Sequence, residues 1–278
     1  MSSLAQSAEK SRTGSLHGFV ERELSRGGND LPQLARSAAE ALRIARAAVL
    51  DLDAAARLAE RDPPIAARVL AVANSALYAR GARHISPRRA ITHIGGSALR
   101  DVLYQAAYAS MTFSVPLFAT EVSRDFVHGV ATAALSRALA RVASADPEDA
   151  FLAGLLHDLG RARCWMLISK RVTAVGSDED GLAVVDALHA SAGHALLKAW
   201  ELPPEIADVC LHHHDPGERK LSAIIAAADV LAHAAEKRAD PRVPAEVLYA
   251  IGVEPTLTDQ WLKRAVGEVE RARLMIGV

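Results

Sequence analysis

The apolar positions of this chain recur mostly at the spacing of α-helices, and clear start and stop signals separate the periodic segments. Leu34, Ala38, Leu42 and Ala45 form the first such pattern. Alternation of Val and Ile never runs for five residues between turn signals, so no strand is predicted. The predicted helices cover about residues 32–48, 53–60, 63–74, 87–95, 98–112, 119–143, 147–157, 161–172, 182–200, 204–213, 219–238, 244–251 and 258–275.

Short polar signals set the predicted helix boundaries. Asp62-Pro63, Ser86-Pro87 and Asp146-Pro147 each place a capping side chain before a proline that fits the first helical turn. Gly95-Gly96 is expected to stop one helix before a longer one begins. The fold class is therefore predicted to be all-α. The polar residues 1–30 are expected to form a mobile or partly helical arm.

The composition favours helices and argues against DNA and membranes as partners. The 278 residues are 50% hydrophobic but only 4% aromatic, and alanine is abundant. A net charge of −1 gives no general attraction to DNA or to an anionic membrane, so neither is an expected partner. Cys164 and Cys210 are too few for a disulfide framework and are expected to be buried free thiols. Without a long apolar run or a signal peptide, we expect a cytoplasmic protein.

Candidate chemistry centres on His157 and Asp158, which end the apolar run 151–156. Other imidazoles and carboxylates lie on separate predicted helices, mostly in apolar surroundings: His128, His194, His213, His214 and Asp229. Buried ionisable groups need partners, and a shared divalent metal would satisfy them all. Imidazole and carboxylate ligands suit Fe, Mn, Zn, Ni or Mg, and a two-metal site needs one bridging carboxylate.

Simpler roles exist for the same residue types. A histidine on an apolar helix often only hydrogen-bonds a backbone carbonyl. His212 is expected to face solvent, and the remaining central histidines are interpreted as non-ligands: His84, His93, His189 and His233. Arg161 and Arg163 directly follow the His-Asp pair and are weak candidates for holding a phosphate, the alternative being a solvated helix start.

The order His128, His157-Asp158, Asp229 resembles the signature of the HD superfamily of metal-dependent phosphohydrolases. More specifically, the chain resembles the HDOD family, the HD-related output domain of bacterial signalling proteins. The resemblance covers roughly residues 31–235 and is carried by Leu31-Pro32, Asp62–Tyr78, Ile85–Gly95, Phe151–Gly160, Gly193-His194, Trp200–Pro203 and His213–Pro216.

This resemblance implies a two-lobed helical domain, with an N-terminal helical lobe over about 31–115 and an HD-like bundle over about 116–235. Residues 236–278 would then be a C-terminal helical extension packed on the domain. The implied function is a regulatory output module whose partners are signalling proteins or a nucleotide second messenger.

Two departures from related HD-GYP proteins, which hydrolyse cyclic di-GMP, bear on activity. Those proteins carry Glu one turn before the first His, where this chain has Arg124. They also carry Gly-Tyr-Pro after the paired His, where this chain continues from Asp215 to Glu218 without that motif. We therefore expect a non-catalytic module. The alternative is a metal-dependent phosphohydrolase acting on a phosphodiester or nucleotide second messenger.

Overall fold

The computed structural model of the protein describes residues 15–26, 33–75, 77–79, 81, 84–112, 115–175, 181–236 and 245–276. Within these residues the chain is helical and contains no strand, which confirms the predicted all-α class. The α-helices are α1 (Leu16–Ser25), α2 (Arg36–Arg46), α3 (Leu52–Arg61), α4 (Pro63–Ala73), α5 (Pro87–Thr112), α6 (Ala119–Val142), α7 (Pro147–Leu156), α8 (Leu159–Val175), α9 (Gly181–Ala199), α10 (Pro204–His212), α11 (Lys220–Ala235), α12 (Ala245–Tyr249) and α13 (Thr258–Ile276). None of these helices has the length and apolar character needed to cross a membrane.

Two of the three predicted capping side chains, Asp62 and Asp146, cap their helices. The Asp62 carboxylate accepts a hydrogen bond from the amide of Ile65 at 3.1 Å and so starts α4. The Asp146 carboxylate accepts from the amides of Glu148 and Asp149 at 2.8 and 2.9 Å and starts α7. Each cap satisfies amide groups that have no partner inside the helix.

Gly95 interrupts α5. Its backbone has φ 78° and ψ 171°, a conformation that is open essentially only to glycine. The segment Pro87–Thr112 is therefore two helical stretches that meet at a kink, and the predicted stop at Gly95 is confirmed.

The loop after α4 is held by a side chain. The Asn74 amide donates to the carbonyl of His84 at 2.8 Å, and its oxygen accepts from the amide of His84 at 2.7 Å. Ser75 donates to the carbonyl of Val72 at 2.7 Å. The Asn74-Ser75 pair therefore has a structural role at this loop.

The chain divides into two compact units. Residues 33–111 form the smaller one, which contains α2 to α4 and nearly all of α5. The larger one contains α1 and α6 to α13. In it, α13 packs against α6 and α11 and buries Ala265, Val269 and Ala272. All the candidate metal ligands belong to the larger unit.

Helix α6 lies at the centre of the larger unit, in contact with α7, α11 and α13. It is buried around almost its whole circumference from Asp125 to Ala140. Such a helix excludes polar groups unless they have partners. His128, which is 1% exposed on this helix, therefore lies in the interior of the protein.

Helices α8 and α9 approach each other closely at Gly160. A Cβ atom at that position would lie only 1.9 Å from the carbonyl oxygen of His189 and 2.4 Å from the amide nitrogen of Gly193. Only glycine permits this approach. The contact sets the position of α9, and so of His189, relative to Asp158.

Helix α1 is part of the core of the larger unit. Leu16 and Val20 are 2% and 0% exposed and belong to the same apolar cluster as Trp165, Ile168 and Val184. Residues 16–25 of the predicted arm are therefore helical, as the partly helical alternative expected, and they pack on the core; residues 1–14 and 27–30 lie outside the described part. The physical reason is that one face of α1 carries enough apolar surface to pack on α8 and α9.

Candidate metal centre

His157 and Asp158 form the turn between α7 and α8, and both are buried, at 1% and 7% exposure. The Nδ1 atom of His157 lies 2.8 Å from the carbonyl oxygen of Gly154. A carbonyl only accepts hydrogen bonds, so Nδ1 carries the proton and donates. The Nε2 atom then presents its lone pair to the interior whenever the ring is neutral.

Two further histidines repeat this arrangement. His189 on α9 donates from Nδ1 to the carbonyls of Val185 and Asp186, at 3.1 and 3.0 Å. His213, just after α10, donates from Nδ1 to the carbonyls of Val209 and Cys210, at 3.2 and 2.9 Å. In all three rings the backbone fixes the tautomer that leaves Nε2 free, which is how metal-binding imidazoles are commonly held.

These three Nε2 atoms surround one carboxylate oxygen. Oδ1 of Asp158 lies 3.3 Å from His189 Nε2, 3.4 Å from His213 Nε2 and 3.8 Å from His157 Nε2. Neighbouring ligand atoms on a tetrahedral metal with bonds of about 2.0–2.1 Å are separated by roughly 3.3 Å. The spacing therefore suits atoms that share a cation.

Hydrogen bonding supports the same reading. Among the described residues, Nε2 of His157, Nε2 of His213 and Oδ1 of Asp158 are buried without a well-directed hydrogen bond, and both nitrogens lie 3.4–3.8 Å from that oxygen. A buried polar atom left in this state costs about 1–3 kcal/mol. Three such atoms side by side are explained by a metal ion that they would bind in common, and the residues present fit that group.

A second group of ligand atoms adjoins the first. Nε2 of His128 lies 2.9 Å from Oδ1 of Asp229 on α11. The same oxygen lies 3.2 Å from Nε2 of His233 and 3.8 Å from Nε2 of His157. Nδ1 of His128 lies 3.2 Å from Oε1 of Glu236, the residue that caps α11.

Burial and the neighbouring charges shift the pKa values in the cluster in opposite directions. Burial alone would lower the pKa of His128, but hydrogen bonds with Asp229 and Glu236 raise it to about 10. Burial would raise the pKa values of Asp158 and Asp229, yet the neighbouring imidazoles hold both well below their usual range. The two carboxylates are therefore ionised and held among imidazoles, a setting that suits a cation.

His214 completes the cluster on the α9 side. Its Nε2 atom lies 3.1 Å from Nε2 of His189. Burial, with help from His213 and His189, lowers the pKa of His214 to about 4. The ring is therefore neutral near pH 7, so it can offer a lone pair to a metal.

The structure brings together six of the seven predicted ligands and leaves out one. His194 lies apart, with Nε2 3.2 Å from Oδ1 of Asp208 on the surface. It follows His189 by five residues, which at 100° per residue places it about 140° further around α9. His194 therefore lies outside the cluster, whereas His189, interpreted as a non-ligand, lies within it.

His233 was also interpreted as a non-ligand and lies in the cluster. It follows Asp229 by four residues on α11 and so points to the same side. That spacing was the available signal in the sequence. For His189 the signal was its register with the apolar positions Val185 and Ala192, which are buried on the same face of α9.

A cavity of about 410 Å³ opens beside the cluster. On the side of the cluster, the cavity is lined by Asp158, His189, His214 and His233. The remainder is lined by residues of α6, α8 and α9: Glu121, Arg124, Asp125, Arg161, Trp165, Leu182 and Asp186. A small ligand in this cavity would contact both the candidate metal ligands and this charged rim.

The two candidate phosphate-binding arginines differ in position. Arg161 lines the cavity, but its guanidinium donates to Asp125 at 3.1 Å and to Asp186 at 2.8 Å. Arg163 is 5% exposed and does not line the cavity, so its candidacy is corrected. Asp125 is an acidic residue three positions before His128, next to Arg124. Its carboxylate accepts hydrogen bonds from the Arg161 guanidinium and the Trp165 indole.

More than half of the sequence matches the model of a known family. The family model described as the HDOD domain covers residues 31–216, more than half of the chain. This chain belongs to the HDOD family. The match ends before α11, so Asp229, His233 and Glu236 lie beyond it.

Solved structures share the fold of this HDOD protein. A candidate metal-dependent phosphohydrolase from Shewanella amazonensis is 22% identical, with a TM-score of 0.70 over 94% of this chain and 99% of that one. An HDOD domain protein of unknown function from Geobacter sulfurreducens is 22% identical, with a TM-score of 0.66 over 93% and 97%. A candidate signal transduction protein from Marinobacter aquaeolei is 19% identical, with a TM-score of 0.67 over 98% and 65%.

Proposed function

We propose that this HDOD protein is a signalling module that binds a divalent transition metal and, in the adjoining cavity, a small anionic ligand such as a nucleotide. The observation that carries the proposal is the group of buried ligand atoms without well-directed hydrogen bonds at His157, Asp158 and His213. A module that had lost its metal would be expected to have replaced these residues or given their atoms well-directed hydrogen bonds, because poorly satisfied buried polar atoms lower stability.

The ligand set supports a transition metal over Mg²⁺. His128, His157, Asp158 and Asp229 would hold a cation on one side, and His189, His213 and His214 would hold a cation on the other. Asp158, within 3.8 Å of ligands on both sides, is the carboxylate that two cations would share. Imidazole-rich sites favour Zn, Fe, Mn or Ni, whereas Mg²⁺ prefers oxygen ligands and retains water.

The cavity wall supports binding more than turnover. A bound metal would polarise a phosphoryl oxygen and lower the pKa of a bound water. Arg161, however, is engaged by Asp125 and Asp186 and is not held ready for a phosphate. No Gly-Tyr-Pro segment follows His214. We therefore assign the module an output role through signalling partners, in keeping with the candidate signal transduction protein of the same fold.

Metal content tests the proposal. The protein is purified without chelator, reconstituted with Mn²⁺, Fe²⁺ or Zn²⁺, desalted and measured for metal per chain. Wild type is expected to retain metal in stoichiometric amounts, and His157→Ala and Asp158→Asn to lose it. His194→Ala is the matched control, because that imidazole lies outside the cluster. A folded wild type that retains none of the three metals would contradict the proposal.

A second function, metal-dependent phosphodiester hydrolysis, is favoured by one observation: the ligand groups lie directly beside an open cavity. The metal-loaded protein is incubated with cyclic dinucleotides and simple phosphodiesters. Turnover that is lost in Asp158→Asn would favour the hydrolase. Ligand-induced thermal stabilisation without product would favour the binding module.

A further inference from the structure

Helix α11 holds His128 from three directions. Asp229, His233 and Glu236 occur at positions i, i+4 and i+7 and so share one side of the helix. Asp229 lies at Nε2 of His128 and Glu236 at Nδ1. The ring of His233 stacks on that of His128, with centroids 4.2 Å apart and planes 25° apart.

His128 differs from the other ligand imidazoles in what its Nδ1 atom contacts. His157, His189 and His213 each donate from Nδ1 to backbone carbonyls within their own segment. His128 uses a side chain from another helix, separated by 108 positions in the chain. Its orientation therefore depends on Glu236, whose side chain is only 4% exposed and cannot be replaced there by solvent.

A carboxylate at Nδ1 has a defined effect on a metal-binding imidazole. By accepting the Nδ1 proton it fixes the tautomer that offers Nε2, locks the ring orientation and makes Nε2 a stronger donor. Removing such an outer partner commonly reduces metal affinity about 10–100-fold. A metal bound at Nε2 would displace the proton that Nε2 shares with Asp229, and Glu236 is placed to keep the remaining proton on Nδ1.

We propose that Glu236 is the positioning residue of the metal centre, which fixes the orientation and tautomer of His128 without binding the metal itself. This inference rests on the proposed metal site. It also adds a determinant at the C-terminal cap of α11, beyond the residues 31–216 that match the family model.

The experiment measures Zn²⁺ affinity by competition with a chromophoric chelator for wild type, Glu236→Gln and Glu236→Leu. The leucine variant is expected to bind about 10–100-fold more weakly. The glutamine variant keeps an acceptor oxygen and is expected to fall between the two. Glu218→Gln, at an exposed position, is the control and should bind as wild type does.

A purely structural role is separated by a double-mutant cycle with His128→Ala. If Glu236 acts through His128, adding Glu236→Leu to His128→Ala will cause little further loss of affinity. The absorption spectrum of the Co²⁺-loaded protein should also change in Glu236→Leu. Circular dichroism and thermal unfolding of the metal-free variants check that they fold.

Each failure has its own signature. If wild type binds no Zn²⁺, the metal site itself is overturned and the inference falls with it. If wild type binds Zn²⁺ and folded Glu236→Leu binds equally well, the role of Glu236 alone is overturned. The same holds if Glu236→Leu weakens binding equally with and without His128.

Discussion

Replacing Gly160 with alanine should destabilise the larger compact unit and weaken metal binding at the proposed centre. The added Cβ would lie 1.9 Å from the carbonyl oxygen of His189 and 2.4 Å from the amide nitrogen of Gly193. Both atoms belong to the backbone of α9, so neither can rotate away as a side chain could. Relief requires α8 and α9 to separate.

The size of the effect follows from these distances. Ordinary contact begins at 3.4 Å, so the gap at His189 must open by about 1.5 Å, the difference between 3.4 and 1.9 Å. Overpacking commonly costs about 1–3 kcal/mol. A clash between two backbones places Gly160→Ala near the upper end, and about 3 kcal/mol corresponds to a Tm lower by roughly 6–12 °C.

The metal centre should respond to the same displacement. His189 Nε2 lies 3.3 Å from Asp158 Oδ1, and the two residues belong to the segments that would move apart. Binding constellations tolerate errors of about 0.5 Å. We therefore expect Zn²⁺ affinity to fall by at least about tenfold.

Thermal unfolding of the metal-free protein and Zn²⁺ competition measure the two effects. Gly267→Ala on α13 is the control, because its Cβ would meet only the Arg271 guanidinium at 3.7 Å or more. It should leave stability unchanged or raise it by up to about 1 kcal/mol. Gly193→Ala, with Cys210 Sγ at 3.1 Å, should be intermediate. A Gly160→Ala protein with wild-type Tm and affinity would refute the reasoning.

Three further outcomes are expected. Burial raises the pKa of the Cys164 thiol to about 12 and also raises the pKa of the Cys210 thiol. A thiol reagent at pH 8 should therefore label the native protein far more slowly than the unfolded protein. Rapid labelling of the native protein would contradict the burial of these thiols. Val20→Ala should lower the free energy of unfolding in urea by about 2 kcal/mol, with no such loss in exposed Glu21→Ala. Gly95→Ala should cost about 1–3 kcal/mol from backbone strain alone, because no atom lies within 4 Å of its added Cβ; an unchanged denaturation midpoint would argue against the kink.

Helix boundaries were predictable because their causes are local. Asp62 and Asp146 cap through amides two or three residues away, and Gly95 stops a helix through its own backbone. These interactions lie within a few residues, so the sequence displays them directly. The packing of α1 was not predictable in this way, because Val20 belongs to an apolar cluster whose members outside α1 lie far along the chain, from Val115 to Ala192.

The candidate ligands were likewise only partly predictable from the sequence. His157 and Asp158 stood out because they end an apolar run. Choosing between His189 and His194 required the rotational setting of α9, which the close contact at Gly160 fixes in three dimensions. Glu236 gave no signal in the sequence, because its importance arises from a contact with α6.

The residues around the cavity differ in burial: some belong to the enclosed interior and others are exposed at its rim. His128 of the cluster lies on α6, a helix enclosed on nearly all sides, where most substitutions would disturb packing. Arg124, Leu182 and Asp186 line the same cavity with exposed side chains, where replacements usually change stability by less than about 0.5 kcal/mol. Specificity for the proposed ligand can therefore change through the rim residues during evolution while the buried residues stay fixed.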